Sequence, residues 1–123
     1  MRRYEATVKI DRKTAGDVTI LAFAGEMDSD NLPAAREETD GVITAGYDRL
    51  VFNLGELAFI NSSALAYLIT VHKRVKSMDG ELVFSAPSRF FQTTIKHLGL
   101  DGEFRVFPDD QAALEHFGAG ETA

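Results

Sequence analysis

Apolar and polar residues alternate through Ala6, Val8 and Ile10, and a period of two marks a strand with one covered face. Lys13-Thr14-Ala15-Gly16-Asp17 interrupts that pattern as a turn, and Val18 to Ala24 resumes it as a second, β-rich run that Gly25 ends. The two predict an antiparallel hairpin at a sheet edge. Beyond it the period changes. Asp28, Ser29, Asp30 and Asn31 offer helix caps ahead of Leu32, and Pro33 is tolerated in a first helical turn. Leu32, Ala35, Thr39, Val42 and Ile43 then fall on one stripe, which predicts a helix over 31–45. Arg49 to Leu54 is a short apolar strand of the kind covered on both faces, followed by a loop through Gly55 and Leu57.

The second half repeats this alternation. Ala64, Leu68, Val71, Val75 and Met78 recur at the spacing of a buried helical stripe. His72, Lys73, Arg74, Lys76 and Ser77 take the opposite face or the last turns, where cations suit the helix dipole. Asp79-Gly80 stops the helix, and Glu81 to Ser85 is a strand. Pro87-Ser88 opens a helix carrying Phe91, Ile95 and Leu98, closed by Gly99. Phe104 to Phe107 is a last strand, and Pro108-Asp109-Asp110 leads into a terminal helix with Ala112, Ala113 and Phe117. The tail 118–123 is expected to fray. The order ββαβαβαβα predicts an α/β fold: a mostly parallel central sheet, an antiparallel edge hairpin and four helices. With no repeat or linker, all 123 residues form one domain with a core over about 5–117.

Composition narrows the function. The 45% hydrophobic and 26% charged fractions are those of a globular chain. No cysteine is present, which removes disulfides, thiolate metal sites and thiol catalysis. A formal net charge of −6 argues against nucleic-acid binding, which draws affinity from neutralising phosphates, and against docking on anionic lipid. No apolar run approaches the roughly 20 residues that span a bilayer, and no apolar segment follows Arg2-Arg3 to make a signal peptide. A cytoplasmic protein is the default expectation.

The stretch FINSSALAYL, Phe59 to Leu68, sets Asn61, Ser62 and Ser63 between two apolar runs, where a strand ends and a helix begins. A side-chain oxygen there can cap the helix, which is worth about 1 kcal/mol against Ala. One helix uses one N-cap, so capping accounts for one of the three. The same place also tolerates phosphate, because free N–H groups and the positive end of the dipole favour an anion. Composition and spacing leave both readings open.

The segment from Leu50 to Leu100 resembles the core of STAS domains, specifically the small anti-sigma factor antagonists (anti-anti-sigma factors). Their pattern is an apolar strand, a short loop with Leu and Phe, Asp-Ser-Ser or Asp-Ser-Thr, then Gly-Leu and a helix. A strand and a helix ending in Gly-Leu follow, as Gly99-Leu100 does here, and Gly25-Glu26-Met27-Asp28 matches a Gly-Glu-Leu-Asp upstream. The resemblance spans about residues 5–117. It implies a STAS fold and a non-enzymatic partner switch. Such a protein binds an anti-sigma factor, usually a GHKL-type serine kinase, and so frees a sigma factor. Phosphorylation of the first motif serine ends the interaction, and a PP2C-type phosphatase restores it. The matching acceptor is Ser62, and Asp28 matches a position that helps contact the kinase. The implied contact surface is Asp28, Asn61, Ser62, Ser63 and Ala64, with no cofactor; a homodimer is compatible with the sequence. Two positions depart from the pattern. Asn61 stands in place of Asp and removes a negative charge beside the acceptor hydroxyl, and Ala64 stands in place of Gly. Asn61 keeps a runner-up open, a STAS binding module without phosphorylation, such as a stressosome-like scaffold subunit or the soluble subunit of an ABC-type lipid transporter.

Other chemistries fit less well. Counting an EF-hand loop from Asp28 puts Pro33 and Thr39 where Gly and Glu are required, so Glu26, Asp28 and Asp30 read as turn and contact residues, not a metal site. No G-x-S-x-G elbow and no P-loop occur. His72 lies ten residues along the helix from Ser62, about 15 Å at 1.5 Å per residue, too far to act as its base. His97 and His116 read as helix-terminal surface residues, and the His72–Lys76 run as a solvated face that can also complement an acidic partner. The phenylalanines read mainly as core, with some of Leu57, Phe59, Phe90 and Phe91 expected to stay exposed beside the serine as a docking patch.

Overall fold

The computed structural model describes residues 8–118, so the expected strand start at Ala6 and the tail beyond Gly118 lie outside the described residues. The elements follow the predicted order: β1 (Val8–Ala15), β2 (Val18–Met27), α1 (Leu32–Thr44), β3 (Arg49–Ile60), α2 (Ser62–Ser77), β4 (Glu81–Ser85), α3 (Arg89–His97), β5 (Val106–Phe107) and α4 (Asp110–Phe117). The strands lie side by side in chain order. β1 and β2 pair antiparallel across the Gly16 turn, and the other pairs are parallel. Each parallel step needs a crossover, and the helices supply them.

One sheet face carries the main core, where Leu21, Phe23, Phe52 and Phe84 meet residues of α1, α2 and α3. α4 covers the other face, setting Ala113 and Phe117 on Val18, Ile20, Val51 and Val83. Aromatic rings link the strands across the main face. Phe23 lies 5.1 Å from Phe52, and Phe52 meets Phe84 edge-on at 6.0 Å. Phe84 in turn stacks on Phe104 at 5.0 Å and receives Phe91 of α3 at 5.4 Å. These offset and edge contacts suit the ring quadrupoles, and through Phe91 they fix where α3 sits.

The α1 stripe is as predicted: Leu32, Ala35, Thr39, Val42 and Ile43 are its buried residues. Other elements differ. β2 does not end at Gly25 but runs on to Met27; Gly25 takes φ +99° beside a slip in register, so it makes a bulge. β3 is twice the predicted length, because residues 55–60 continue to pair with β2 where a loop was expected. Met78 falls on the expected buried stripe of α2 and Leu98 within the expected third helix, yet they are the C-caps of α2 and α3 and stand exposed. β5 keeps only Val106–Phe107, while Phe104 leaves the strand to fill the core.

His72 is the largest correction within α2. It was assigned to the solvated face, but it is buried and lies 4.6 Å from the Phe104 ring. One turn after Leu68 and beside Val71, it widens the apolar stripe. Its Nδ1 is buried without a hydrogen-bond partner among the described residues, while the backbone of Glu103 favours the charged ring. A neutral imidazole fits that arrangement, since it buries a lone pair; the cation would bury an unsatisfied N–H. Burial therefore lowers its pKa, against the opposing pull of the Glu103 and Glu81 carboxylates and with help from Lys76.

A lowered folded-state pKa means that the unfolded chain protonates His72 first as pH falls through about 6.5. The folded state consequently loses stability as pH falls from about 6.5 toward the lower folded-state pKa. His72→Phe, which keeps a ring against Phe104, is expected to flatten that part of the profile in urea unfolding. Parallel profiles for the variant and the parent protein would assign the loss to other groups.

Candidate functional site

The continuation of β2 and β3 builds the site. Their last paired residues are Met27 and Ile60, and the Asn61 N–H then donates to the Met27 carbonyl at 3.1 Å. This bond holds the chain extended until α2 begins. Asn61, at φ −94° and ψ 179°, is the N-cap, and its Oδ1 accepts from the Ala64 N–H at 2.9 Å. The same side chain reaches sideways, with Nδ2 donating to Ser29 Oγ at 3.2 Å. Asn61 thus ties the β3–α2 junction to the β2–α1 turn.

That turn is organised by Asp28. Its Oδ1 accepts from the Asp30 N–H at 3.0 Å and the Asn31 N–H at 3.2 Å, and its own N–H donates to Asn31 Oδ1 at 2.9 Å. Asn31 occupies the N-cap position of α1, but its side chain serves the turn and makes no cap bond. Asp28 therefore has a structural task, and its half-buried carboxylate sits in the turn that Asn61 reaches.

Ser62 and Ser63 are the first residues of α2, and both are exposed. With the cap supplied by Asn61, neither hydroxyl hydrogen-bonds to another described residue. The N–H groups of a first helical turn have no intrahelical acceptor, and they mark the positive end of the dipole. An anion on Ser62 Oγ would lie against that end. Ala64 differs from the other expected surface residues: it is fully buried, and its methyl packs in the core.

An apolar groove adjoins Ser62. It runs between the end of β3 and α3 as two hollows of about 270 and 130 Å³, both bounded by Ile60, Phe90 and Phe91. Ser62 and Leu65 line the smaller hollow, and Leu57 and Phe59 the larger. Among the described residues no charged side chain lines either one. Phe59 and Phe90 stand 50% and 65% exposed, whereas Phe91 is buried, so the expected docking patch consists chiefly of these two rings.

The fold has counterparts among known proteins. A family model described as the STAS domain matches residues 9–113. The chain belongs to the STAS domain family. Among solved STAS-like structures, an anti-sigma factor antagonist from Mycobacterium paratuberculosis superposes with a TM-score of 0.80 at 21% identity, covering 89% of this chain and 92% of the other. The Bacillus cell fate determinant SpoIIAA in its phosphorylated form gives 0.74 at 16% identity, covering 89% and 99%. The murine anion transporter Solute Carrier 26 family member A9 gives 0.70 at 15% identity, covering 87% of this chain and 18% of the transporter. Both a small regulator and a transporter thus carry this fold.

Within this STAS domain, reading the sequence alone placed Asp28, Asn61, Ser62 and Ser63 near one another, and the structure gathers them at the junction. It missed the link through Ser29, which only the Met27–Ile60 register reveals. Assigning the cap to Asn61 separates two neighbours by their stability effects. Asn61→Ala is expected to cost about 1 kcal/mol in urea unfolding, and Ser62→Ala a few tenths at most. Equal losses would mean that Ser62 shares the cap.

Proposed function

We propose that this protein is an anti-sigma factor antagonist, a cytoplasmic, single-domain binding protein that works by partner switching. Ser62 is the phosphoacceptor, and Asp28, Asn61, Ser62 and Ser63 form the polar part of the contact surface. The partner is an anti-sigma factor of the GHKL serine-kinase type, which transfers phosphate from ATP to Ser62; a PP2C-type phosphatase removes it. The protein itself catalyses nothing in this scheme. One observation carries the reading: Ser62 Oγ is exposed and unengaged at the start of α2, because Asn61 performs the capping. Its position beside an uncharged groove supports the same view. So does the company of an anti-sigma factor antagonist and a phosphorylated SpoIIAA among its structural neighbours.

The physical basis of the switch is local. A phosphate adds about −1.5 to −2 charges with strong acceptor oxygens. Free, it is stabilised by water and by the N-terminus of α2. Under a partner that covers the groove, it would lose that water with no cation lining the hollow to replace it. The unmodified hydroxyl carries no such penalty.

The test is intact mass after incubation with native-host lysate and ATP. The expected result is a gain of one phosphate in the parent protein and none in Ser62→Ala. A gain that persists in Ser62→Ala moves the acceptor elsewhere. No gain, in a lysate that phosphorylates a control substrate, sinks the phosphoswitch and leaves a constitutive STAS binding module.

A further inference from the structure

β3 is longer than the strand that follows it. β4 pairs with Arg49 to Asn53 and then stops at Ser85, while β3 continues to Ile60 along β2 alone. Ala86 closes over Gly55, where an added Cβ would lie 3.1 Å from the Ala86 methyl. From Glu56 to Ile60 the side of β3 that faces α3 has no strand beside it among the described residues. The groove with Phe90 and Phe91 occupies that space. In a parallel sheet alternate residues direct their N–H and C=O groups to each side, so this edge presents a short row of backbone donors and acceptors.

We infer that the Glu56–Ile60 edge of β3 is a strand-addition site for an extended, apolar segment of a partner protein, with a cationic residue opposite Glu56 and uncharged residues beside Ser62. The inference deepens the proposed function, since it says how the partner grips the surface next to the acceptor serine. The edge itself selects an extended peptide. A lipid chain or a helix laid in the groove would strip water from the edge N–H and C=O groups without bonding them, at about 1–3 kcal/mol for each group. An added strand satisfies them and sends alternate side chains into the hollows.

Charge sets the polarity of that segment. Glu56 is exposed on the free stretch and forms no ion pair among the described residues. An added residue opposite it becomes its cross-strand neighbour, and opposite charges there attract. Ser62 lies six residues further on, on the order of 15–20 Å at about 3.3 Å per residue. That exceeds the Debye length of roughly 8 Å at physiological salt. A phosphate on Ser62 therefore gains nothing from the cation at the Glu56 end, yet it faces the uncharged end of the segment at close range.

The experiment titrates the labelled full chain by NMR with a capped six-residue peptide that alternates Val and Thr and carries Lys at one end. Chemical-shift changes and new amide-exchange protection are expected across Glu56–Ile60 and at Phe90 and Phe91, saturating by about 1 mM. Methylating alternate peptide nitrogens should weaken binding about tenfold, by removing strand hydrogen bonds. Glu56→Lys should weaken the Lys peptide about threefold and leave a Thr-ended peptide unchanged. Equal binding of the methylated peptide, or protection elsewhere on the chain, overturns the site. So does concentration-dependent protection of the edge without peptide, which assigns it to a second copy of the chain. The peptide needs no kinase, so its failure alongside normal phosphate gain in lysate removes the edge site alone. Peptide binding without phosphate gain removes only the switch.

Discussion

The pairing of Met27 with Ile60, prolonged by the Asn61 N–H bond to the Met27 carbonyl, carries β2 and β3 together beyond the end of β4. Three features depend on that extension. It delivers Asn61 to the first turn of α2 in the extended conformation a cap requires. It brings Ser29 within reach of the Asn61 amide, so the two loops become one surface. It also leaves the far side of β3 without a neighbouring strand among the described residues, because β4 is only five residues long. Were β3 to end at Leu54, as its apolar run suggests, the junction would be a loose loop and the serines would have no fixed relation to α3.

Asn61 also explains how three adjacent polar residues divide their work. One side chain satisfies the helix start, and a second serine or asparagine at the same point has no vacant structural task. Ser62 is thereby left exposed on a rigid element with nothing to hold it back. The substitution of Asn for the family's Asp acquires a physical meaning here. The Asn61 amide donates to Ser29 Oγ and carries no charge beside the Ser62 hydroxyl.

Much of this was legible in the sequence where period and burial agree. The α1 stripe reads correctly because its apolar residues fall on one face between clear stops. The mostly parallel sheet follows from the alternation of elements, whereas the side-by-side order of its strands needed the structure. The extension of β3 was not legible, because Gly55, Glu56 and Ala58 are poor strand formers and the stretch is largely exposed. Pairing to β2 overrides their preferences, a tertiary effect with no local signature. His72 was hidden by its charged neighbours, although its spacing from Leu68 already placed it on the core stripe. Met78 and Leu98 erred in the opposite sense, since the periodicity ran on past the point where each helix stops. At the site, residue identities were readable, but their division into cap, link and exposed hydroxyl needed the register.

The fold alone does not select a function, as a STAS-like segment within an anion transporter makes plain. What distinguishes one STAS surface from another is what it can bury. Long-range repulsion is a weak basis for a switch here, because the chain already carries a formal net charge of −6 and salt screens exposed charges beyond roughly 8 Å. Adding about two negative charges changes that background only modestly. A phosphate on Ser62 becomes decisive only if a partner covers it and removes its water, where an unpaired charge costs several kcal/mol. The groove makes that condition attainable: its walls carry no cation, and its smaller hollow touches Ser62 directly. A docked apolar segment would seal the serine in, so a single hydroxyl can decide whether the segment stays.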